Sequence, residues 1–198
     1  MLPMDKSNPK GQQLQEKVLQ TALLLFSDKG YFNTSIQDIK KAAGVSTGAI
    51  YHHFHNKEHL AKSLYDNLMV RIEREMRPLI MTETSCFRRC KKVIDYLFEL
   101  ATKEPKLMQF ILLAKHNEYL PDEVPICSST PFLMMRRILE EGMDAGEVRD
   151  LEPWVAATAM FGGAIRMMNL HLDGALDKPL LEYLAETVDC GWRAVKAD

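Results

Sequence analysis

The stretch "GVSTGAIYHHFHNKEHL", residues 44–60, gathers four of the chain's six histidines, His52, His53, His55 and His59, behind a Ser-Thr-Gly run and Tyr51. Histidines this dense suit either a metal site or a surface that meets phosphate. Just upstream stands "NTSIQDIKKAAGV", residues 33–45. There Thr34 and Gln37 have the S/T-x-x-E/Q spacing of a capping box, Ile36 and Ile39 face inward, and Gly44 closes a helix of about nine residues. Ser46 can cap the next helix, Thr47 to about Phe54, and Asn56 the one after it. Two short helices joined by a tight turn behind a longer one are the layout of a helix-turn-helix.

That motif sends the N-terminal part of its second helix into the DNA major groove. Ile50 is the apolar anchor. At about 100° per residue, Gly48 and His52 then point away from it, with Tyr51 on the flank. Thr47 can reach a base edge or a phosphate, and Gly48 lets backbone approach the duplex closely. Lys57 can pair with phosphate, helped by the N-terminal amides of its helix. The metal alternative takes His55 and His59 at i, i+4, but finds only Lys57 and Glu58 for company, so no metal is expected.

Outward from this stretch the punctuation stays helical. Leu14, Val18, Ala22, Leu25 and Phe26 form one stripe, with Asn8-Pro9 as start and Gly30 as stop. The helix capped by Asn56 carries Leu60, Leu64, Leu68 and Ile72 toward Pro78. "CFRRCKKVIDYLFELATK", residues 86–103, is amphipathic and ended by Pro105. "PKLMQFILLAKHNEY", residues 105–119, is apolar nearly all round from Leu107 to Ala114 and reads as a central buried helix. "LPDEVPICSSTP", with three prolines, reads as a loop before a helix that stops near Gly146. Pro153 opens a helix that Gly174 ends. Leu181, Leu184, Val188, Trp192 and Val195 make the last stripe. No β-alternation of useful length is present, so the expected fold is all-α.

In 198 residues, 46% hydrophobic and 26% charged, the composition is that of a folded globular chain. The longest apolar run, from Trp154, is broken by Arg166, so no membrane span is expected. The N-terminus lacks the apolar core of a secretion signal. Four cysteines, Cys86, Cys90, Cys127 and Cys190, are too few for a disulfide framework, and a cytoplasmic location is expected. Net charge is −2, unevenly spread: residues 1–92 hold 15 Lys+Arg against 9 Asp+Glu, residues 93–198 hold 10 against 18. A basic front joined to an acidic back suits a front that meets a polyanion. No nucleophile elbow, phosphate-binding glycine loop, HExxH or CxxC is present, so neither an enzyme nor a cofactor is expected.

Residues 14–60, including "ALLLFSDKGYFNTSIQDIKKAAGVSTGAIYHHFHNKEHL", resemble the DNA-binding domain of the TetR family of bacterial transcriptional regulators. The shared pattern is an aromatic-rich helix end and a Gly, a Thr-Ser-x-x-x-Ile segment, Ala-Gly-Val-Ser, Tyr-x-His-Phe and Lys-Glu-x-Leu. The resemblance implies an N-terminal three-helix helix-turn-helix DNA-binding domain, residues 1–58. A larger C-terminal helical domain, residues 59–198, would bind an effector and form a homodimer, with about nine helices in all. It implies phosphate contacts at Ser35, Tyr51 and Lys57, base contacts at Gln37 and Thr47, and His53 beside the backbone. Thr34, Ser46, Gly48 and His52 complete the expected double-stranded DNA surface. Gln37 stands where an arginine is common, and His55 where Lys or Gly is frequent.

Eight of the 12 methionines fall from Met81 onward, and methionine adapts to irregular apolar shapes. A small, mostly apolar effector is therefore expected among Met108, Ile111, Met134, Met160 and Met167, with His116 and His171 as polar anchors. The small-residue run from Ala156 to Ala164, flanked by Phe161 and Ile165, and the stripe Leu181, Leu184, Val188 and Trp192 suit a dimer interface. The expected function is a ligand-responsive regulator, most simply a repressor, on a pseudo-palindromic operator. The alternative is a DNA-anchored factor whose acidic C-terminal domain binds a protein partner.

Overall fold

Helix ends in this protein are set by local chemistry that a computed structural model shows for residues 9–120 and 126–198. The expected Asn8 start and much of the proline-rich loop lie outside the described residues. Among those described, nine α-helices form: α1 Pro9–Lys29, α2 Ile36–Ala43, α3 Thr47–His53, α4 Lys57–Met81, α5 Cys86–Lys103, α6 Pro105–Leu112, α7 Thr130–Asp144, α8 Pro153–Leu172 and α9 Leu184–Val195. Short 3-10 turns occur at His116–Glu118, Ile126–Ser128 and Leu180–Tyr183. The all-α expectation holds; the one described β feature is an isolated bridge between Val148 and Lys196.

Three local expectations need correction. The capping box that opens α2 belongs to Ser35 and Asp38, one residue beyond Thr34 and Gln37. Ser35 Oγ accepts the Asp38 N–H at 3.1 Å, while the Ser35 N–H donates to Asp38 Oδ2 at 2.8 Å. Thr34 is unavailable because its buried hydroxyl donates to Gly30 O at 2.9 Å. Secondly, α4 does not end at Pro78 but continues to Met81. Pro78 is exposed and near the helix end, so the hydrogen bond it cannot donate is lost on a face that water reaches. Thirdly, the apolar run after Pro105 makes only the eight-residue α6.

The described chain divides into two compact units. The first lies within Met1–Asn67 and Ala114–Asp122, and holds α1, α2, α3, the start of α4 and the turn His116–Glu118. Val18, Ala22, Phe26, Ile39, Ile50, Phe54 and Leu60 form its core. The second lies within Leu68–Leu113 and Glu123–Asp198. In it α8 packs on α7 and α9, α5 on α7, α8 and α9, and α6 on α5 and α8, around Phe98, Phe110, Phe161, Ile94 and Ile138. No described helix is long and apolar enough to cross a membrane.

Candidate nucleic-acid interface

Between α2 and α3 the chain turns at Gly44, whose φ of 63° is the left-handed conformation that a residue with a Cβ adopts only with strain. Ser46 then caps α3, its Oγ accepting the Ala49 N–H at 3.1 Å. Ile50, fully buried, holds α3 against the core, with Phe54 just beyond its end. These anchors leave Gly48, Tyr51 and His52 exposed, with Thr47 and His53 half-buried. A Cβ at Gly48 would find nothing within 4 Å, so this surface is open to whatever docks there. On α2, Gln37 and Lys41 are exposed.

The other expected DNA residues divide by what already occupies them. Thr34 is committed to backbone carbonyls. Ser35 is exposed but sits in the capping box, where its hydrogen bonds hold the Asp38 carboxyl below the usual range. Lys57 has a double engagement: its Nζ donates to Tyr31 O and Thr34 O, each at 3.0 Å, and stands 4.0 Å over the Tyr31 ring. Burial lowers its ammonium pKa. Lys57 thus staples the α1–α2 loop to the first turn of α4, a role its place in the sequence did not disclose.

The histidines split into two pairs. His52 and His53 meet edge to face at 5.0 Å, and the His55 ring stacks on His59 at 5.0 Å and 15°. The His55 N–H donates to His59 Nδ1 at 3.2 Å, so that nitrogen is occupied as an acceptor. Among the described residues no three His, Cys, Asp or Glu side chains are grouped to hold a metal.

The residues expected to line an effector pocket are dispersed. Met108 and Ile111 border a narrow apolar cavity of about 20 Å³ together with Met69, Met76, Met135, Ile165 and Met168. Met134 lies on a groove of about 610 Å³ with Arg77, Arg89 and Arg137. Met160 and Met167 line a depression of about 680 Å³ between α8 and α9. His171 is half-buried near the end of α8. His116 belongs to the first unit, beside Tyr65 and Tyr119. Of the expected interface residues, Phe161 and Val188 are buried within the second unit, Ile165, Leu184 and Trp192 are half-buried, and Leu181 is exposed. Cys86 and Cys90 are buried, and their mutual hydrogen bond lowers the Cys86 thiol pKa and raises that of Cys90.

Known proteins resemble this arrangement. Residues 18–64 match the model of the family described as bacterial regulatory proteins, tetR family. The HTH-type transcriptional repressor KstR2 of Mycolicibacterium smegmatis is 26% identical over 75% of this chain and 73% of its own. The fatty acid metabolism regulator protein of Bacillus subtilis is 26% identical over 80% and 81%. Among solved structures, a TetR family transcription regulator from Marinobacter aquaeolei superposes with a TM-score of 0.81 at 17% identity, covering 96% of this chain and 98% of that one. The regulator FadR of Bacillus subtilis, solved with stearoyl-CoA, gives 0.77 at 22% identity over 90% and 98%. At such identities the structural likeness is one of fold.

Proposed function

We propose that this chain, whose residues 18–64 match the tetR family of bacterial regulatory proteins, is a DNA-binding transcriptional regulator that binds a pseudo-palindromic operator as a homodimer and is released by a small, mostly apolar effector. The observation that carries the DNA reading is α3 itself. Buried Ile50 anchors it, while Gly48, Tyr51 and His52 are left with no part in the core. In a two-fold dimer the recognition helices lie about 34 Å apart, or a multiple of that, and read two half-sites of opposite orientation. The groove between α8 and α9, floored by Met160, Gly163 and Gly191, is the surface we assign to the second copy.

For the effector, a methionine-rich cavity of about 20 Å³ supports an apolar ligand that opens its own site. FadR of Bacillus subtilis, with stearoyl-CoA, makes a long-chain acyl thioester the first compound to try. Release follows if the effector favours the conformation with misplaced recognition helices, with a coupling of about 1–3 kcal/mol.

Selection of bound sequences from random duplex DNA, at stated salt, tests the core of this reading. Recovery of a two-fold symmetric site is expected. Binding that is sequence-free and falls steeply with salt would leave only a polyanion-binding chain. Titration of stearoyl-CoA into the selected complex then tests the effector.

A further inference from the structure

Residues 114–120 follow α6 in the chain yet pack within the first compact unit. Tyr119 is what seats them. Its ring, 7% exposed, stacks on that of Tyr31 at 3.9 Å with 10° between planes. The Lys57 ammonium stands 4.0 Å from the centroid of the same Tyr31 ring. A stacked ring and an ammonium at those distances would overlap if they shared a face, so Tyr31 is gripped from both sides. The exposed Phe32 ring stands nearly perpendicular to both tyrosine rings, with centroids at 5.3 and 6.2 Å. The Tyr119 hydroxyl lies 2.8 Å from His116 Nδ1, and the His116 ring is 4.9 Å from that of Tyr65 on α4. The loop Gly30–Ser35, which delivers the capping box of α2, is therefore held by Lys57 through its carbonyls and by Tyr119 through its aromatic ring.

At its other end this segment continues from α6, with Leu113 alone between α6 and Ala114. Met108, Ile111 and Leu112 of α6 line the apolar cavity of about 20 Å³. Sites that hold small molecules measure about 300 Å³ or more. A ligand admitted there must displace the elements around it. Among the helices that line the cavity α6 is the shortest, at 8 residues against 25 for α4 and 20 for α8.

We propose that Tyr119 is a positioning residue for DNA binding, and that its stack on Tyr31 is the contact an effector breaks when it opens the α6-lined cavity; the second half rests on the small-molecule response proposed above. A stacked ring pair is either engaged or released, which gives the two discrete arrangements that coupling between sites requires. Release frees the α1–α2 loop on one side, and with it the start of α2. Lys57 then holds its two loop carbonyls without the Tyr119 ring on the far side of Tyr31.

The experiment uses the full chain as wild type, Tyr119→Leu and Tyr119→Phe, with folding checked by far-UV circular dichroism. Leucine keeps apolar bulk and removes the stacked ring; phenylalanine keeps the ring and removes the hydroxyl. Amide hydrogen exchange over residues 31–38 and affinity for the selected duplex are measured with and without stearoyl-CoA. In Tyr119→Leu the loop amides should exchange faster, DNA affinity should fall by about tenfold, and stearoyl-CoA should lower it little further. Tyr119→Phe should match wild type. Unchanged exchange and affinity in Tyr119→Leu overturn the positioning role. A weakened variant that still shows the full wild-type response to stearoyl-CoA overturns the coupling role. If stearoyl-CoA moves not even the wild type, that effector reading fails, while exchange and affinity still decide the role of Tyr119. Tyr119→Met replaces the leucine variant if the latter does not fold.

Discussion

Lys57 is a residue at which a structural role and the proposed phosphate contact can be told apart. Two of its three N–H donors are committed to the Tyr31 and Thr34 carbonyls, and the proposed phosphate contact would use the third and the charge. Lys57→Met should therefore have two signatures. Unfolding free energy should fall by about 1–3 kcal/mol, since carbonyls lose a charged donor. The slope of log affinity against log salt should also shrink by about one unit. A variant with lowered stability and an unchanged slope would assign Lys57 to the fold alone. Tyr51 contrasts with it: half exposed, at 49%, it has no charge to displace a counterion. Tyr51→Ala should weaken binding to every duplex with little change of slope, which a salt titration of both variants would show.

The junctions between helices show how far local signals reach. Ser46 and Gly44 were legible because an N-cap hydroxyl and a left-handed glycine act within a few residues of their own positions. The cap of α2 falls to Ser35 and not to Thr34 because the Thr34 hydroxyl is taken by the carbonyl of Gly30, which becomes close only when the loop is folded. The α5–α6 junction has a partner much farther away in the chain. Glu104, between the two helices, receives both terminal nitrogens of Arg71 on α4, which also donates to Glu75 at 2.9 Å. Arg71 holds the Glu104 carboxyl below its usual pKa. A carboxylate lowered on folding stabilises the protein above its unfolded pKa, and that stability is lost as pH falls through the folded value. Wild type should lose more melting temperature between pH 7 and pH 3 than Glu104→Gln. The difference should be small, below about 1 kcal/mol, because both side chains are more than a third exposed or close to it. Parallel losses in the two proteins would count against the pair.

For the molecule in its proposed dimeric state, two glycines on the α8–α9 seam separate folding from association. At Gly191 an added Cβ would meet Met160 O at 2.4 Å, a backbone atom that cannot swing aside. Gly191→Ala should force α8 and α9 apart and lower the unfolding free energy by about 1–3 kcal/mol. Gly163, exposed and with nothing within 4 Å of an added Cβ, has room within its own unit. Gly163→Leu should keep wild-type helix content yet shift light scattering toward monomer at micromolar concentration. A dimer unchanged by Gly163→Leu would move the interface away from this face. The small-residue run showed in the sequence that something approaches closely here. Whether that neighbour is α9 or a second copy is a question of packing, which composition leaves open.

The all-helical character of the described residues, the glycine stops and the exposed face of α3 follow from the amino-acid order, because caps, turns and 3.6-residue periodicity act over a few residues. Periodicity says that a side chain faces inward; it does not say what it meets there. Met108 and Met135 share a cavity while Met134 lies on a different groove, and nothing in their spacing separates them. The pairing of Tyr31 with Tyr119, and the seating of residues 114–120 beside the α1–α2 loop within one unit, join segments far apart in the chain. Such contacts come from burial and shape complementarity between distant segments, which no local window contains.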